Sequence, residues 1–257
     1  MNPAVLAGVT VLVTRPPGQA DGLCERIRAH GGDALPWPAV EILPTAEDEA
    51  VERALDPGMP PDWLIFISRN AVQHGAATLA THPRPQIAAI GPSTAAALAK
   101  AGVTPTLAAS KPDSEGLLAD PAFSNVQGKR VVIVRGVGGR EALALGLRAR
   151  GARVGYEEVY RRHRPQPPAE RLEGLLGRWQ NDGIQVYTAT SVEILRNLHD
   201  MLGPAGHEPL ARTALVTASK RVVQQADRLG HGGARLLASR PDDAALVEAI
   251  AAWRSGT

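Results

Sequence analysis

The sequence contains a single cysteine, Cys24, and this scarcity excludes two kinds of protein. One cysteine cannot form an intrachain disulfide or a cluster of thiolate ligands for a metal, so we expect a reducing compartment and a cytoplasmic protein. Cys24 itself lies in an amphipathic helical pattern, which favours a packing role over that of a reactive thiol.

Long hydrophobic runs are also missing. No run approaches the roughly 18 apolar residues of a transmembrane helix, so we expect no membrane span and no membrane partner. The first residues, MNPAVLAGVTVLVTRPP, carry no charged leading region, and Gly8 interrupts their apolar run. We therefore interpret this stretch as a first strand and not as a signal peptide.

A large charge of one sign is missing as well. The formal net charge is +2 at pH 7, and such a near-neutral chain lacks the electrostatic footprint of a nucleic-acid-binding protein. The seven histidines show neither H-x-H nor H-E-x-x-H spacing. The charge and the histidine spacing therefore predict no nucleic-acid partner and no metal.

The segment VVIVRGVGGREAL, residues 131–143, has the general pattern of a nucleotide-binding loop, because an apolar run leads through glycines into a helical pattern. A dinucleotide fingerprint requires a third glycine where Glu141 stands, and the segment has no Walker lysine, so we expect no nucleotide. The amides of Gly136 and Gly138 and the side chain of Arg140 still favour an anionic group of another kind.

What the chain does contain is an internal repeat. Three pairs of segments match in order, two at an offset of 120 residues and one at 129: 11–31 with 131–151, 64–72 with 184–192, and 109–118 with 238–247. The first match pairs Arg15 with Arg135, and the second pairs Ser68 with Thr188. We infer that the chain duplicates an α/β unit of about 120 residues.

Within each unit, short apolar runs alternate with helical patterns. The runs are too short for helices, and most are followed by a residue that commonly begins a helix. They predict strands over Val9–Thr14, Trp63–Ser68, Ile87–Ile90, Arg130–Arg135, Ile184–Thr188, Thr213–Thr217 and Arg235–Ser239. The alternation predicts an α/β fold with two doubly wound parallel sheets, flavodoxin-like or related, each covered by helices.

Two extended stretches, 38–44 and 156–162, come at corresponding places and lead into proline-rich or charged segments without a helix. We interpret them as connectors at a hinge between two bodies. A cleft beside such a hinge is a usual place for a small ligand.

Polar residues follow the predicted strands. The carboxyl ends of parallel strands form the edge at which α/β sheets bind ligands, and hydroxyl, amide and guanidinium donors suit carboxylates there. For any one of these residues, helix capping is the competing interpretation. The candidate substrate-binding residues are Arg15, Ser68, Arg69, Asn70, Gly91, Ser93, Thr94, Arg135, Gly136, Gly138, Arg140, Thr188, Thr190 and Ser219.

Several motifs, taken together, resemble those of bacterial uroporphyrinogen-III synthases. In order they are VLVTRPPGQADGL, FISRNAV, AIGPSTAAALAKAG, SEGLL, KRVVIVRGVGGREALALGLRARGARV and EVYRR, and the likeness is clearest before residue 162. The resemblance implies two α/β domains joined by a two-stranded antiparallel linker, with a discontinuous first domain. The implied limits are 1–37 with 165–257 for the first domain, 45–155 for the second, and 38–44 with 156–164 for the linker.

The resemblance also implies a reaction. Hydroxymethylbilane, a linear tetrapyrrole rich in acetate and propionate groups, is cyclised to uroporphyrinogen III with loss of water and inversion of ring D through a spiro intermediate. This is a hydro-lyase reaction of haem, sirohaem and cobalamin synthesis, and it needs no cofactor. The family further suggests a monomer that could receive its substrate from the preceding deaminase.

By the same resemblance, Tyr160 of EVYRR aligns with a tyrosine proposed to assist departure of the hydroxyl. A phenol with an ordinary pKa of about 10 can donate its proton at neutral pH. An aromatic side chain packed in the linker is the other interpretation of Tyr160.

Two other functions stay open at this point. One is a non-catalytic tetrapyrrole- or metabolite-sensing relative, and the other is a two-lobed solute-binding protein, which the absence of a signal-peptide pattern disfavours. We find no winged-helix or receiver-like pattern in the sequence, which favours the enzyme over the sensor.

Overall fold

The computed structural model describes residues 4–45, 59–75, 78–79 and 85–256. The chain divides into two compact units. Unit 1 is Met1–Glu41 with His163–Thr257, and unit 2 is Ile42–Arg162.

The elements are as follows in chain order. The strands are β1 (Thr10–Val13), β2 (Asp33–Pro36), β3 (Glu41–Pro44), β4 (Trp63–Phe66), β5 (Gln86–Ala89), β6 (Leu107–Ala108), β7 (Arg130–Gly136), β8 (Arg153–His163), β9 (Val186–Thr188), β10 (Ala214–Thr217) and β11 (Arg235–Leu237). The helices are α1 (Asp21–Ala29), α2 (Arg69–His74), α3 (Pro92–Lys100), α4 (Ser114–Leu118), α5 (Ala142–Ala149), α6 (Ala169–Gln180), α7 (Val192–Arg212, interrupted at Gly203), α8 (Lys220–Arg228) and α9 (Asp243–Ser255). Among the described residues, no helix is both long and apolar enough to cross a membrane.

Unit 1 contains a five-stranded sheet in the order β11-β10-β9-β1-β2, whose strands pair in parallel. The fully buried Val11 of β1 belongs to a core cluster with Leu23 and Ile27 of α1 and Ile250 of α9. Leu23 and Ile27 lie four residues apart and therefore share one helix face, which α1 buries against the sheet.

Unit 2 contains a six-stranded sheet in the order β3-β8-β7-β4-β5-β6. Every residue of its strand β7 is buried. Ile133 packs in a cluster with Leu147 of α5, whereas Val132 and Val134 pack with Leu98 of α3 in another. Successive side chains of a strand point to opposite faces, so this sheet is covered on both faces, as the continuous apolar run predicts.

The two sheets repeat one strand order. Read from β6, the second sheet runs β6-β5-β4-β7-β8, which matches β11-β10-β9-β1-β2 strand for strand. The α/β fold with parallel sheets is thus confirmed, and all seven predicted strands are present. Strands β2 and β6 are not predicted from the sequence, because both are short edge strands with interrupted apolar patterns.

The register of the strands corrects one pairing of the sequence repeat. Trp63 of β4 pairs with Val131 in unit 2, and Val186 of β9 pairs with Val11 in unit 1. Val11 aligns with Val131, so Trp63 corresponds to Val186, an offset of 123 and not 120. Short apolar strands align almost equally well at several offsets, which allowed the slip.

The corrected offset changes the counterpart of Ser68. It pairs Ser68 with Ser191 and not with Thr188. Ser68 begins α2 and accepts a hydrogen bond from the Ala71 amide, and Ser191 begins α7 and does the same for Ile194. The shared property of this pair is therefore helix capping.

The stretches predicted as connectors are strands. β3 lies beside β8, and β8 also pairs in parallel with β7. The side chain of Thr45 donates a hydrogen bond to the carbonyl of Glu158 (2.6 Å). Residues 156–162 are therefore part of the sheet of unit 2, and they end where that unit ends along the chain. The antiparallel linker and the domain limits stay predictions.

Candidate functional site

The carboxyl ends of β7, β4 and β5 lie side by side in unit 2, because these parallel strands are neighbours. Ser68 follows β4, Gly91 follows β5, and Gly136 ends β7. The structure thus brings three predicted residues to one edge of the sheet. The Oγ atom of Ser68 lies 3.0 Å from the amide nitrogen of Ala71 and caps α2.

Tyr160 joins this edge from β8. A bulge between Arg135 and Gly136 brings Gly136 opposite Tyr160. A Cβ atom at Gly136 would lie 2.6 Å from two ring carbons of Tyr160, so only glycine fits beneath this ring. The Tyr160 hydroxyl lies 3.2 Å from Ser68 Oγ, and the residue is 5% exposed. Ser68, Gly136 and Tyr160 therefore form one contact cluster.

Two cations lie near this cluster in sequence and are exposed. Arg69 is the first residue of α2, and Arg140 lies in the loop between β7 and α5. Within the described ranges, neither guanidinium has an ion pair or a hydrogen bond. Gly138 and Gly139 of the loop have φ of +68° and +129°, in the region that favours glycine. The two arginines are available to bind an anion.

The other predicted residues of unit 2 differ in their surroundings. Ser93 is exposed in the first turn of α3, whereas Thr94 is 1% exposed and cannot reach a ligand in this arrangement. Gly91 is buried against Pro112, since a Cβ atom at Gly91 would lie 2.5 Å from the Pro112 Cβ. Asn70 is half-buried and has a partner within the chain. Among these residues, only Ser93 presents an exposed side-chain donor.

Each of the three guanidinium nitrogens of Arg135 already contacts a carboxylate of the chain, which its position at a strand end does not suggest. Its guanidinium contacts Glu158 Oε1 at 2.9 Å and Glu141 Oε1 at 2.9 Å. The guanidinium carbon also lies 3.8 Å from the centre of the Tyr156 ring. The amide of Gly138 donates to the same Glu158 oxygen at 3.2 Å. The side chain of Arg135 is 8% exposed and holds the loop that follows β7.

Hydrogen bonds and burial within this network shift the pKa values of Glu141 and Tyr156. A hydrogen bond from the Tyr156 hydroxyl, followed by one from Arg135, lowers the pKa of Glu141 below its ordinary value of 4.5. Burial, followed by the hydrogen bond to Glu141, raises the pKa of Tyr156 above 10.0. Tyr156, Glu141 and Glu158 are not among the residues predicted from the sequence. The only signal was the pair of acidic residues inside the strand YEEVY.

In unit 1, two of the predicted residues, Arg15 and Thr188, have side chains bonded within the chain. Arg15 pairs with Asp243 at 2.5 Å. Thr188 is fully buried: its Oγ1 accepts a hydrogen bond from the Thr14 amide at 3.0 Å, and its carbonyl accepts one from Thr14 Oγ1 at 2.6 Å. The structure therefore gives Arg15 and Thr188 structural partners. Thr190 is exposed.

Ser219 begins α8 and is half-buried, and its amide donates to Thr217 Oγ1 at 3.1 Å. A substrate-binding role for Ser219, as for the other candidates, stays a prediction.

Unit 1 has a cavity of ≈ 800 Å³ at the carboxyl ends of β1 and β2. Its lining includes Gly18, Trp37 and Arg171, and the Arg171 guanidinium carbon lies 4.9 Å from the centre of the Trp37 ring. The cavity lies at the edge where parallel sheets bind ligands, and its size suits a small organic molecule.

Among the described residues, no group of three or more His, Cys, Asp and Glu side chains is placed to hold a metal ion.

These features define the class: a duplicated α/β protein of two parallel sheets, with exposed donors at the carboxyl ends of its strands. A family model described as uroporphyrinogen-III synthase HemD matches residues 21–248. Curated uroporphyrinogen-III synthases of Salmonella typhimurium and Escherichia coli K12 are 32% and 31% identical, and each alignment covers 94% of this chain and 100% of the relative. The chain belongs to the uroporphyrinogen-III synthase family, and it is therefore an enzyme of porphyrin biosynthesis.

Solved structures agree on the fold. A uroporphyrinogen-III synthetase of Helicobacter pylori superimposes with a TM-score of 0.63 at 14% identity, covering 95% of this chain and 99% of that one. A mutant uroporphyrinogen III synthase of Thermus thermophilus gives a TM-score of 0.61 at 15% identity, covering 96% and 99%. The comparisons give no support to the sensing alternative.

Proposed function

We propose that this enzyme cyclises hydroxymethylbilane to uroporphyrinogen III, with loss of water and inversion of ring D through a spiro intermediate, and that it is a hydro-lyase. The observation that carries the proposal is the edge of unit 2. There the exposed Arg69 and Arg140 lie in segments that adjoin the Ser68–Tyr160 contact. This edge combines cations for substrate carboxylates with a phenol for the leaving hydroxyl.

The reaction requires control of geometry more than a strong catalyst. The pyrroles of hydroxymethylbilane can expel the terminal hydroxyl without help, but unaided closure gives the wrong isomer. An enzyme that holds the side-chain carboxylates can fix which ring carbon meets the reactive end. Charge-assisted hydrogen bonds from Arg69 and Arg140 are strong and directional enough for this purpose.

Tyr160 supplies the proton in this proposal. The C–O bond of the terminal hydroxymethyl group breaks, the Tyr160 proton joins the departing oxygen to form water, and an azafulvene cation and a tyrosinate remain. Ring closure through the spiro intermediate ends with loss of one proton from a ring carbon, which restores the tyrosine. Tyr160 is 5% exposed, so its hydroxyl must become accessible on binding.

We extend the proposal to the setting of the enzyme. It acts in the cytoplasm as a monomer, takes hydroxymethylbilane from the preceding deaminase, and uses 38–44 and 156–164 as a linker between domains 1–37 with 165–257 and 45–155. The single cysteine supports a reducing compartment. The neighbouring positions of β3 and β8 support the linker.

Alanine variants of the two exposed arginines test the binding step. Each of Arg69→Ala and Arg140→Ala removes one charge-assisted contact, worth about 1.5–3 kcal/mol, so the KM for hydroxymethylbilane should rise roughly ten- to a hundred-fold. The matched control is Arg153→Ala, which removes an exposed arginine at the opposite, amino end of β8 and should leave KM unchanged. An unchanged KM in both Arg69→Ala and Arg140→Ala would refute this binding site.

A further inference from the structure

A short chain of hydrogen bonds runs through Ser68 to Tyr160. The amide nitrogen of Ala71 lies 3.0 Å from Ser68 Oγ, and Ser68 Oγ lies 3.2 Å from the Tyr160 hydroxyl oxygen. Ser68 has extended backbone angles, φ −165° and ψ 163°, as expected of a residue that caps a helix. Its hydroxyl is therefore fixed between the start of α2 and the tyrosine.

The donors and acceptors determine the direction of these two hydrogen bonds. An amide N–H can only donate, so Ser68 Oγ uses one lone pair to accept from Ala71. The single proton of Ser68 remains available for Tyr160. If Tyr160 is to give its proton to a substrate, that proton cannot also be directed at Ser68. The arrangement consistent with acid catalysis is Ala71 N–H to Ser68 O–H to the Tyr160 oxygen.

The other contacts of Tyr160 fix its ring but do not orient its hydroxyl group. The ring lies against the backbone of Gly136, and the carbonyl of Tyr160 accepts a hydrogen bond from the Val137 amide at 2.8 Å. These contacts fix the ring and the strand but not the rotation of the O–H bond. Within the part of the chain that the structure describes, Ser68 is the hydrogen-bond partner of the Tyr160 hydroxyl.

We propose that Ser68 is a positioning residue for Tyr160: its hydroxyl donates to the Tyr160 oxygen, turns the phenol proton away from itself and towards the departing hydroxyl, and stabilises the tyrosinate formed when that proton leaves. The inference rests on the proposed function. Ser68 transfers no proton in this step. The proton given to the departing oxygen is that of Tyr160, and the electron pair of the broken O–H bond stays on the tyrosine oxygen.

The test separates the two tasks of Ser68. Ser68→Ala removes the cap and the hydrogen bond to Tyr160, so kcat should fall about tenfold while KM for hydroxymethylbilane changes less than about twofold. Ser68→Thr keeps a hydroxyl and should restore kcat to within about twofold of the unaltered enzyme. If Ser68→Ala does not fold, Ser68→Gly removes the hydroxyl at a smaller loss of capping.

Two further variants control for structure. Ser191→Ala removes the equivalent cap of α7, at 3.2 Å from the Ile194 amide, and should lower the melting temperature as Ser68→Ala does, with kcat unchanged. In a Tyr160→Phe background, itself expected to lower kcat about ten- to a hundred-fold, Ser68→Ala should cause no further loss because the phenol oxygen is gone.

Each outcome has a distinct meaning. Equal loss of kcat from Ser68→Ala in the unaltered and Tyr160→Phe backgrounds, or failure of threonine to restore kcat, overturns the positioning role and leaves the synthase function intact. If Tyr160→Phe keeps full activity, Tyr160 is not the acid and the role of Ser68 falls with it. If the unaltered enzyme does not consume hydroxymethylbilane at all, the proposed function itself fails.

Discussion

The contacts of Arg135 with Glu141 and Glu158 could not be predicted from the sequence residue by residue. Arg135 was placed correctly at the end of a strand, but its partners lie 6 and 23 residues further along the chain. Such a pairing depends on where β7 and β8 come together. Two carboxylates already neutralise the charge of Arg135. It is therefore a weaker candidate for binding an anion than Arg69 and Arg140, which have no ion pair with any residue that the structure describes.

Gly136 supports a prediction at the same scale. Gly136→Ala would place a methyl group 2.6 Å from two ring carbons of Tyr160, so the ring or the backbone at residue 136 must shift. We expect a loss of stability of about 1–3 kcal/mol, the usual cost of overpacking, measured by urea unfolding. Gly174→Ala is the matched control, because no heavy atom lies within 4 Å of the new Cβ atom in α6. Equal stability of the two variants would contradict the close contact.

Charged side chains hold the loop between β7 and α5. Glu158 binds both the Arg135 guanidinium and the amide of Gly138, and Glu141 joins Arg135 to Tyr156. The ion pairs therefore connect the two ends of the loop to β8. This arrangement holds the exposed Arg140 next to the edge on which the proposed function depends.

A pH series tests this charge network. The pKa of Glu141 is lowered in the folded chain, so its contribution to stability is present above the ordinary value of 4.5 and is lost as pH falls through the lowered pKa. Glu141→Gln removes that contribution at every pH. The difference in melting temperature between the two proteins should therefore be constant above pH 4.5 and should shrink as the pH is lowered further. A difference of the same size from neutral to acid pH would contradict the network.

The elements also show the limit of the sequence analysis. The buried β7 could be predicted because its four central residues, Val131–Val134, are all apolar and β-branched and it is flanked by turns, whereas β6 has two residues and no pattern of its own. The alignment of Ser68 with Thr188 went wrong for a related reason. Hydroxyl residues occur at 188, 190 and 191, and only the strand register shows that Ser191 is the structural equivalent.

The duplication is the main feature of the whole molecule. Two sheets share one strand order, yet their carboxyl ends have diverged. Unit 2 presents exposed arginines and the Ser68–Tyr160 contact, while unit 1 turns Arg15 and Thr188 inward and has a cavity lined by Trp37 and Arg171. The repeat was visible in the sequence, but this division of properties depends on burial and long-range partners, which spacing does not encode.

The isomer of the cyclised product tests the central claim most directly. Hydroxymethylbilane is supplied to the purified protein, the products are oxidised to porphyrins, and the type I and type III isomers are separated by chromatography. A catalyst that holds the tetrapyrrole in the geometry for inversion of ring D gives predominantly the type III isomer, whereas the same mixture without protein gives type I. Formation of the type I isomer alone in the presence of the folded protein would contradict the account.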